Sequence, residues 1–136
     1  MEPLIIFAVY GEPAPQGSKG RGRYGNLYEM SRHLPAWRAQ VTQAAQAIQG
    51  PLWEPLDRPI VVRAEFYLPR PASTKFTNHP AGPPDLDKLF RAVGDSLTKA
   101  ETITDDSRIV RWLGTKHWAI GRDPGAEITI YEMSRQ

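Results

Sequence analysis

The chain contains no cysteine, which excludes a disulfide framework, a thiolate zinc site and a cysteine nucleophile. It also lacks an apolar run long enough to span a bilayer. Met1-Glu2-Pro3-Leu4-Ile5-Ile6-Phe7 has no basic leader region, and its apolar stretch is too short for a signal peptide. A cytoplasmic protein with no membrane role is therefore expected. Strong net charge is missing too, since 17 Lys and Arg against 15 Asp and Glu leave a balance of +2. An excess that small proves nothing about nucleic acid, so the distribution of charge has to be read instead. No Ser-His-Asp arrangement and no glycine-rich phosphate loop ending in Gly-Lys-Ser/Thr occurs. His33, His79 and His117 are scattered without ligand spacing and are assigned no chemistry.

What is present suits one globular domain. The 136 residues are 40% hydrophobic and 24% charged, ordinary values for a chain able to bury a core. Leu4 to Tyr10 is β-branched and aromatic and reads as a strand closed by Gly11 and Pro13. Residues 11–34 hold five glycines and no sustained period, a long loop of the kind that is commonly functional. From Pro35 an alanine- and glutamine-rich helix runs to Ile48, with Trp37, Val41, Ala44 and Ile48 on one face and Gly50-Pro51 as its stop. Pro59 to Tyr67 alternates as a strand with Val61, Ala64 and Phe66 as core candidates. Leu68 to Pro84, with five prolines, is a loop. Asp85 to Ala100 is the strongest helix, with Leu86, Leu89, Phe90, Val93 and Leu97 on one stripe and Asp85 at the N-cap. Ile109 to Leu113, extending toward Trp118, and Ala126 to Tyr131 close the chain as strands. The order predicts an α+β single domain over 1–136, a mixed β-sheet of about four strands with two main helices packed against it.

The charges are unevenly placed. Lys19, Arg21 and Arg23 lie on a glycine-spaced segment without an acid, and Arg108, Arg111, Lys116, His117 and Arg122 follow one another without one. Acids gather instead at Asp85, Asp87, Asp95, Glu101, Asp105 and Asp106. Asp85 and Asp87 flank Leu86 at a helix entry, where the macrodipole and free N–H groups favour negative charge. With Asp106 arriving at the start of the next strand, the expectation is an oxygen-rich pocket. Clustered carboxylates stay ionised only beside a cation, and hard oxygen donors suit Mg²⁺. Such an ion polarises a phosphoryl oxygen and activates water in phosphodiester hydrolysis. Arg91, one turn after Asp87, is placed to neutralise transition-state charge or to pair with Asp87 or Asp95. Spacing alone leaves a second reading open, because Asp-x-Asp at a helix start also serves capping and solubility. Asp87, Arg91 and Asp95 are equally compatible with a surface ion-pair ladder.

Asp85-Leu86-Asp87-Lys88-Leu89, Arg91, Asp95-Ser96-Leu97-Thr98-Lys99-Ala100 and Asp105-Asp106-Ser107-Arg108-Ile109-Val110 resemble the signature of the RusA Holliday-junction resolvases. That pattern is Asp-x-Asp-Asn-Leu, a lysine on the following turn, Asp-x-Leu, then Asp-Asp before a polar residue and valine. Gly11-Glu12-Pro13-Ala14-Pro15-Gln16-Gly17-Ser18-Lys19 is similar to the proline-then-glutamine opening of many members. The resemblance implies a homodimeric endonuclease, dependent on Mg²⁺ with Mn²⁺ as a substitute, that makes paired nicks in four-way DNA junctions. It assigns the catalytic, metal-holding positions to Asp85, Asp87 and Asp106, with Asp105 their neighbour. Two departures stand out. Arg91 occupies the lysine position, which keeps phosphate stabilisation but not proton donation, and Lys88 replaces the asparagine that would support the carboxylates.

The sequence thus points to a metal-dependent endodeoxyribonuclease of DNA recombination and repair. Lys19, Arg21, Arg23 and Lys116 are the expected nucleic-acid contacts, and Tyr24, Tyr28 and Trp37 are candidates to stack on unpaired bases, Trp37 being also a core candidate. Two rival readings are a catalytically weak or inactive branched-DNA-binding protein, suggested by Lys88 and Arg91, and a metal nuclease for flaps or forks.

Overall fold

A computed structural model describes residues 2–17 and 32–134. The elements are strand β1 (Pro3–Tyr10), helix α1 (Leu34–Ile48), strand β2 (Ile60–Leu68), helix α2 (Leu86–Lys99), strand β3 (Ile109–Trp118) and strand β4 (Gly125–Glu132). A single 3-10 turn, Asp106–Arg108, precedes β3. The four strands form one sheet in the order β1-β4-β2-β3. β4 runs antiparallel to both neighbours, while β2 and β3 are parallel. That parallel pair requires a crossover, and α2 supplies it. The expected α+β domain, a four-stranded mixed sheet with two helices, is what forms.

Alternation within β2 decides which face is covered. Ile60, Val62, Ala64 and Phe66 are fully buried, whereas Arg63 is exposed and Glu65 and Tyr67 are half-buried on the other side. Trp37, Val41 and Ala45 of α1 and Leu89, Val93 and Leu97 of α2 complete a single core with the first set. Removing Leu89, fully buried, to alanine would cost about 2–5 kcal/mol. The stripe on α2 is the one read from the sequence, with Leu86 and Phe90 at its half-buried edge. On α1 the fourth-residue spacing from Trp37 wins: Ala45 is buried, and Ile48 is 54% exposed in the last turn. Asp85 takes the N-cap place of α2 with extended backbone (φ −70°, ψ 140°), but its side chain makes no capping bond. No helix among the described residues is long and apolar enough to cross a membrane.

Candidate active site

The N-terminal half of α2, the 3-10 turn and the start of β3 enclose a cleft of about 310 Å³ lined by Asp87, Phe90, Arg91, Gly94, Asp106, Ile109 and Trp112. Asp87 and Arg91 are one turn apart on α2 and share its outer side. Asp106 arrives from a different segment because the turn at Asp106–Arg108 folds back onto the helix. Gly94 sits where the two meet: a β-carbon there would lie 3.5 Å from the Asp106 Cβ and 3.5 Å from Trp112. The hydrogen atom of glycine therefore leaves the floor of the cleft open. Phe90 and Trp112, stacked at 4.6 Å and 12°, form its apolar wall.

Among the described residues, no ion pair joins Asp95, Asp105 or Asp106 to a cation. Asp105 caps the 3-10 turn, accepting from the Ser107 N–H at 2.9 Å, and its hydrogen bonds with Ser107 hold its carboxyl below the usual range. Asp106 is pushed the other way: partial burial, then the like charge of Asp105 and Asp95 and a hydrogen bond with Asp95, raise its pKa. Asp95 in turn accepts from the Gln16 side-chain amide. Among the described residues Arg91 forms no ion pair. The alternative reading of Asp87, Arg91 and Asp95 as a surface ion-pair ladder is therefore not what forms among the described residues.

A short segment after β1 braces this side of the helix. The Gln16 N–H donates to the Lys88 carbonyl at 3.1 Å while its side chain holds Asp95. Gly17 follows at φ +89°, and a β-carbon there would fall 2.5 Å from an Arg91 guanidinium nitrogen. Glycine is needed for the backbone conformation, and its missing side chain leaves the guanidinium room to lie close. Neither Gln16 nor Asp95 was singled out as a site residue from the sequence. The paired appearance of Gln16 in the opening motif and Asp95 in the acidic run was the only signal.

Asp85 departs from expectation. It is exposed at the mouth of α2, outside the lining of the cleft, with Lys88 Nζ 3.7 Å from its carboxylate. Two residues on, Asp87 does line the cleft. Among the described residues no group of three or more acids or histidines is placed to hold a metal. Of the three expected carboxylates, Asp87 and Asp106 line one cleft, Asp95 interacts with Asp106, and Asp85 lies outside that lining. Two carboxylates on an open wall are still a donor set that fits Mg²⁺, which keeps several waters and takes one or two protein carboxylates.

Lys116, expected as a nucleic-acid contact, is held by main-chain carbonyls. Its ammonium donates to the carbonyls of Gly82 and Pro84, both at 2.9 Å, tying the proline-rich loop that enters α2 to β3. Desolvation pulls its pKa down, and nearby Asp85 opposes that. A half-buried ammonium with two carbonyl partners acts as a structural clamp on this loop. Lys19, Arg21, Arg23, Tyr24 and Tyr28 lie outside the described residues. Trp37 is buried in the core, and His117 pairs with Glu65 at 2.8 Å.

A family model, Endodeoxyribonuclease RusA, matches residues 10–131. The chain belongs to the RusA family. The match begins at the end of β1 and ends within β4, so it takes in the bracing segment, both helices and every acid of the cleft. Membership of a family of endodeoxyribonucleases makes nuclease chemistry the activity to be explained by this RusA-family site. A comparison with curated proteins finds none that matches significantly.

Proposed function

We propose that this chain is a Mg²⁺-dependent endodeoxyribonuclease that resolves four-way DNA junctions by paired symmetric nicks, acting as a homodimer. One observation carries the reading: Asp87 and Asp106, separated in sequence, share a cleft with Arg91, which forms no ion pair among the described residues. Asp87 and Asp106 would hold the metal, with Asp85 the third carboxylate that the resemblance assigns. The bound ion supplies polarisation of the phosphoryl oxygen and an activated water.

The chain's own residues do the rest. Arg91 presents a permanently charged fork toward the cleft and offsets the charge gathering on the phosphoryl oxygens. Because an arginine does not release its proton, protonation of the leaving oxygen falls to another group or to water. Gln16 and Gly17 fix the turn of α2 that bears Lys88 and Arg91. Phe90 and Trp112 keep one wall dry, which strengthens every charge interaction inside. A dimer fits the substrate, since a junction with near two-fold symmetry needs two active centres related by the same axis.

The test is nicking of a synthetic four-way junction, a flap and a linear duplex across Mg²⁺ and Mn²⁺ titrations, with sedimentation of the same sample. The expected result is paired nicks in the junction far above the other substrates, from a dimer, with Asp87→Asn binding the junction but not cutting it. An Asp87→Asn protein that cuts at the wild-type rate would overturn the assignment. The Lys88 ammonium near Asp85 favours a second reading, a branched-DNA-binding protein with weak catalysis. Tight junction binding without nicking under every metal condition would select it, and equal cutting of flaps or forks would select a broader branched-DNA nuclease.

A further inference from the structure

Three clefts adjoin one another along α2 and share residues. Asp106 lines both the cleft described above and a second one, and Arg38 and Lys99 line both that second cleft and a third. The third, of about 610 Å³, lies over α1 and the end of α2 and is floored by Ala39, Thr42, Gln43 and Gln46. No acid occurs anywhere in α1 (Leu34–Ile48), so this cleft has two cations and nothing of opposite sign in its lining.

Arg38 and Lys99 come from different helices yet converge on one space, beside Asp95, Asp105 and Asp106. A purely structural arrangement would pair them with those acids. It does not: Asp105 is committed to Ser107, Asp95 to Gln16, and among the described residues neither cation forms an ion pair. The small side chain of Ala39 allows a polymer backbone to approach closely, and the Gln43 and Gln46 amides offer donors to phosphate and sugar oxygens.

We infer that this chain of clefts is the path of a DNA strand leaving the reacting centre, with Arg38 and Lys99 as contacts to phosphates beside the one attacked. The inference rests on the nuclease reading for the position of the scissile phosphate, but the contact itself is a binding property and is read separately. Each phosphate neutralised on duplex DNA contributes about 0.9 to the slope of log affinity against log salt. In an Asp87→Asn background, the Arg38→Gln, Lys99→Gln double variant should bind a four-way junction at least roughly tenfold more weakly near 0.1 M salt, with the slope shallower by about 1.8. Arg38→Lys with Lys99→Arg keeps both charges and should restore the slope. Arg58→Gln, whose arginine pairs with Glu132 at 3.1 Å, should leave it unchanged. An unaltered slope in the double variant, a slope not restored by the charge-keeping pair, or an equal change in Arg58→Gln overturns the path. A parent protein that does not bind the junction overturns it as well. A junction that is bound but never nicked by the wild-type protein contradicts the nuclease reading and leaves the path standing.

Discussion

On the uncovered face of the sheet, Glu65 lies 3.3 Å from Arg63 and 2.8 Å from His117, and Glu127 lies 3.1 Å from Arg122. Arg122 also stacks over the Tyr67 ring at 3.4 Å. Around Asp106, by contrast, acids accept from an amide, a backbone N–H and one another, while Arg38, Arg91 and Lys99 stand apart from them. The first arrangement minimises the energy of the isolated protein. The second leaves charge of both signs without an ion pair among the described residues, which is the usual mark of a site completed by something else. Both regions are polar and half-exposed, so polarity alone does not tell them apart; pairing does.

The sharpest contrast comes from neutralising one acid on each side. Asp106→Asn should reduce junction nicking by at least about a hundredfold, and in metal-free buffer should raise Tm slightly because a like-charged neighbour is removed. Glu127→Gln should leave nicking at the wild-type rate and lower Tm. If both variants cut equally well, the distinction between the two regions collapses.

A smaller effect is expected at the brace. Gly17→Ala puts a side chain at φ +89° and against the Arg91 guanidinium. The conformational penalty is about 1–2 kcal/mol, measurable by urea denaturation. The guanidinium can swing aside at little cost in stability, so nicking should fall by more than stability does. Equal stability and full activity would remove Gly17 from the account.

The smallest effect concerns pH. The Tyr67 hydroxyl and Arg122, in that order, hold the Glu127 carboxyl below its ordinary value of 4.5. Its folded pKa is thus depressed, so its contribution to stability is present above the unfolded value and is lost as pH falls through the folded one. Melting curves from neutral pH down to about pH 3 should show Glu127→Gln losing part of the acid-side decline seen in the wild type. Parallel declines would mean that Glu127 is solvated rather than paired.

Much of this was legible in the sequence because it is local. The apolar stripe of α2, the alternation of β2 and β4, and the proline and glycine stops each arise from neighbours within a few residues. The signature of Asp85, Asp87, Arg91 and Asp106 was legible as a resemblance. What escaped depends on packing across long separations. Gln16 and Asp95 are 79 residues apart, and nothing near either of them announces the other. Lys116 read as a free cation because its partners, the carbonyls of Gly82 and Pro84, have no side-chain signature. Asp85 and Asp87 read as one cluster because proximity in sequence conceals which of them lines the cleft. Ile48 read as core because periodicity does not reveal where the sheet beneath a helix ends.

The central claim is that Asp87 and Asp106 jointly hold a divalent ion. Titration of the purified protein with Mn²⁺, following the free ion by its magnetic resonance signal, measures this without reference to DNA or turnover. The account predicts a site in the wild-type protein that is severely weakened in Asp87→Asn and in Asp106→Asn alike, and retained in Glu127→Gln. Undiminished Mn²⁺ binding in either aspartate variant would contradict it.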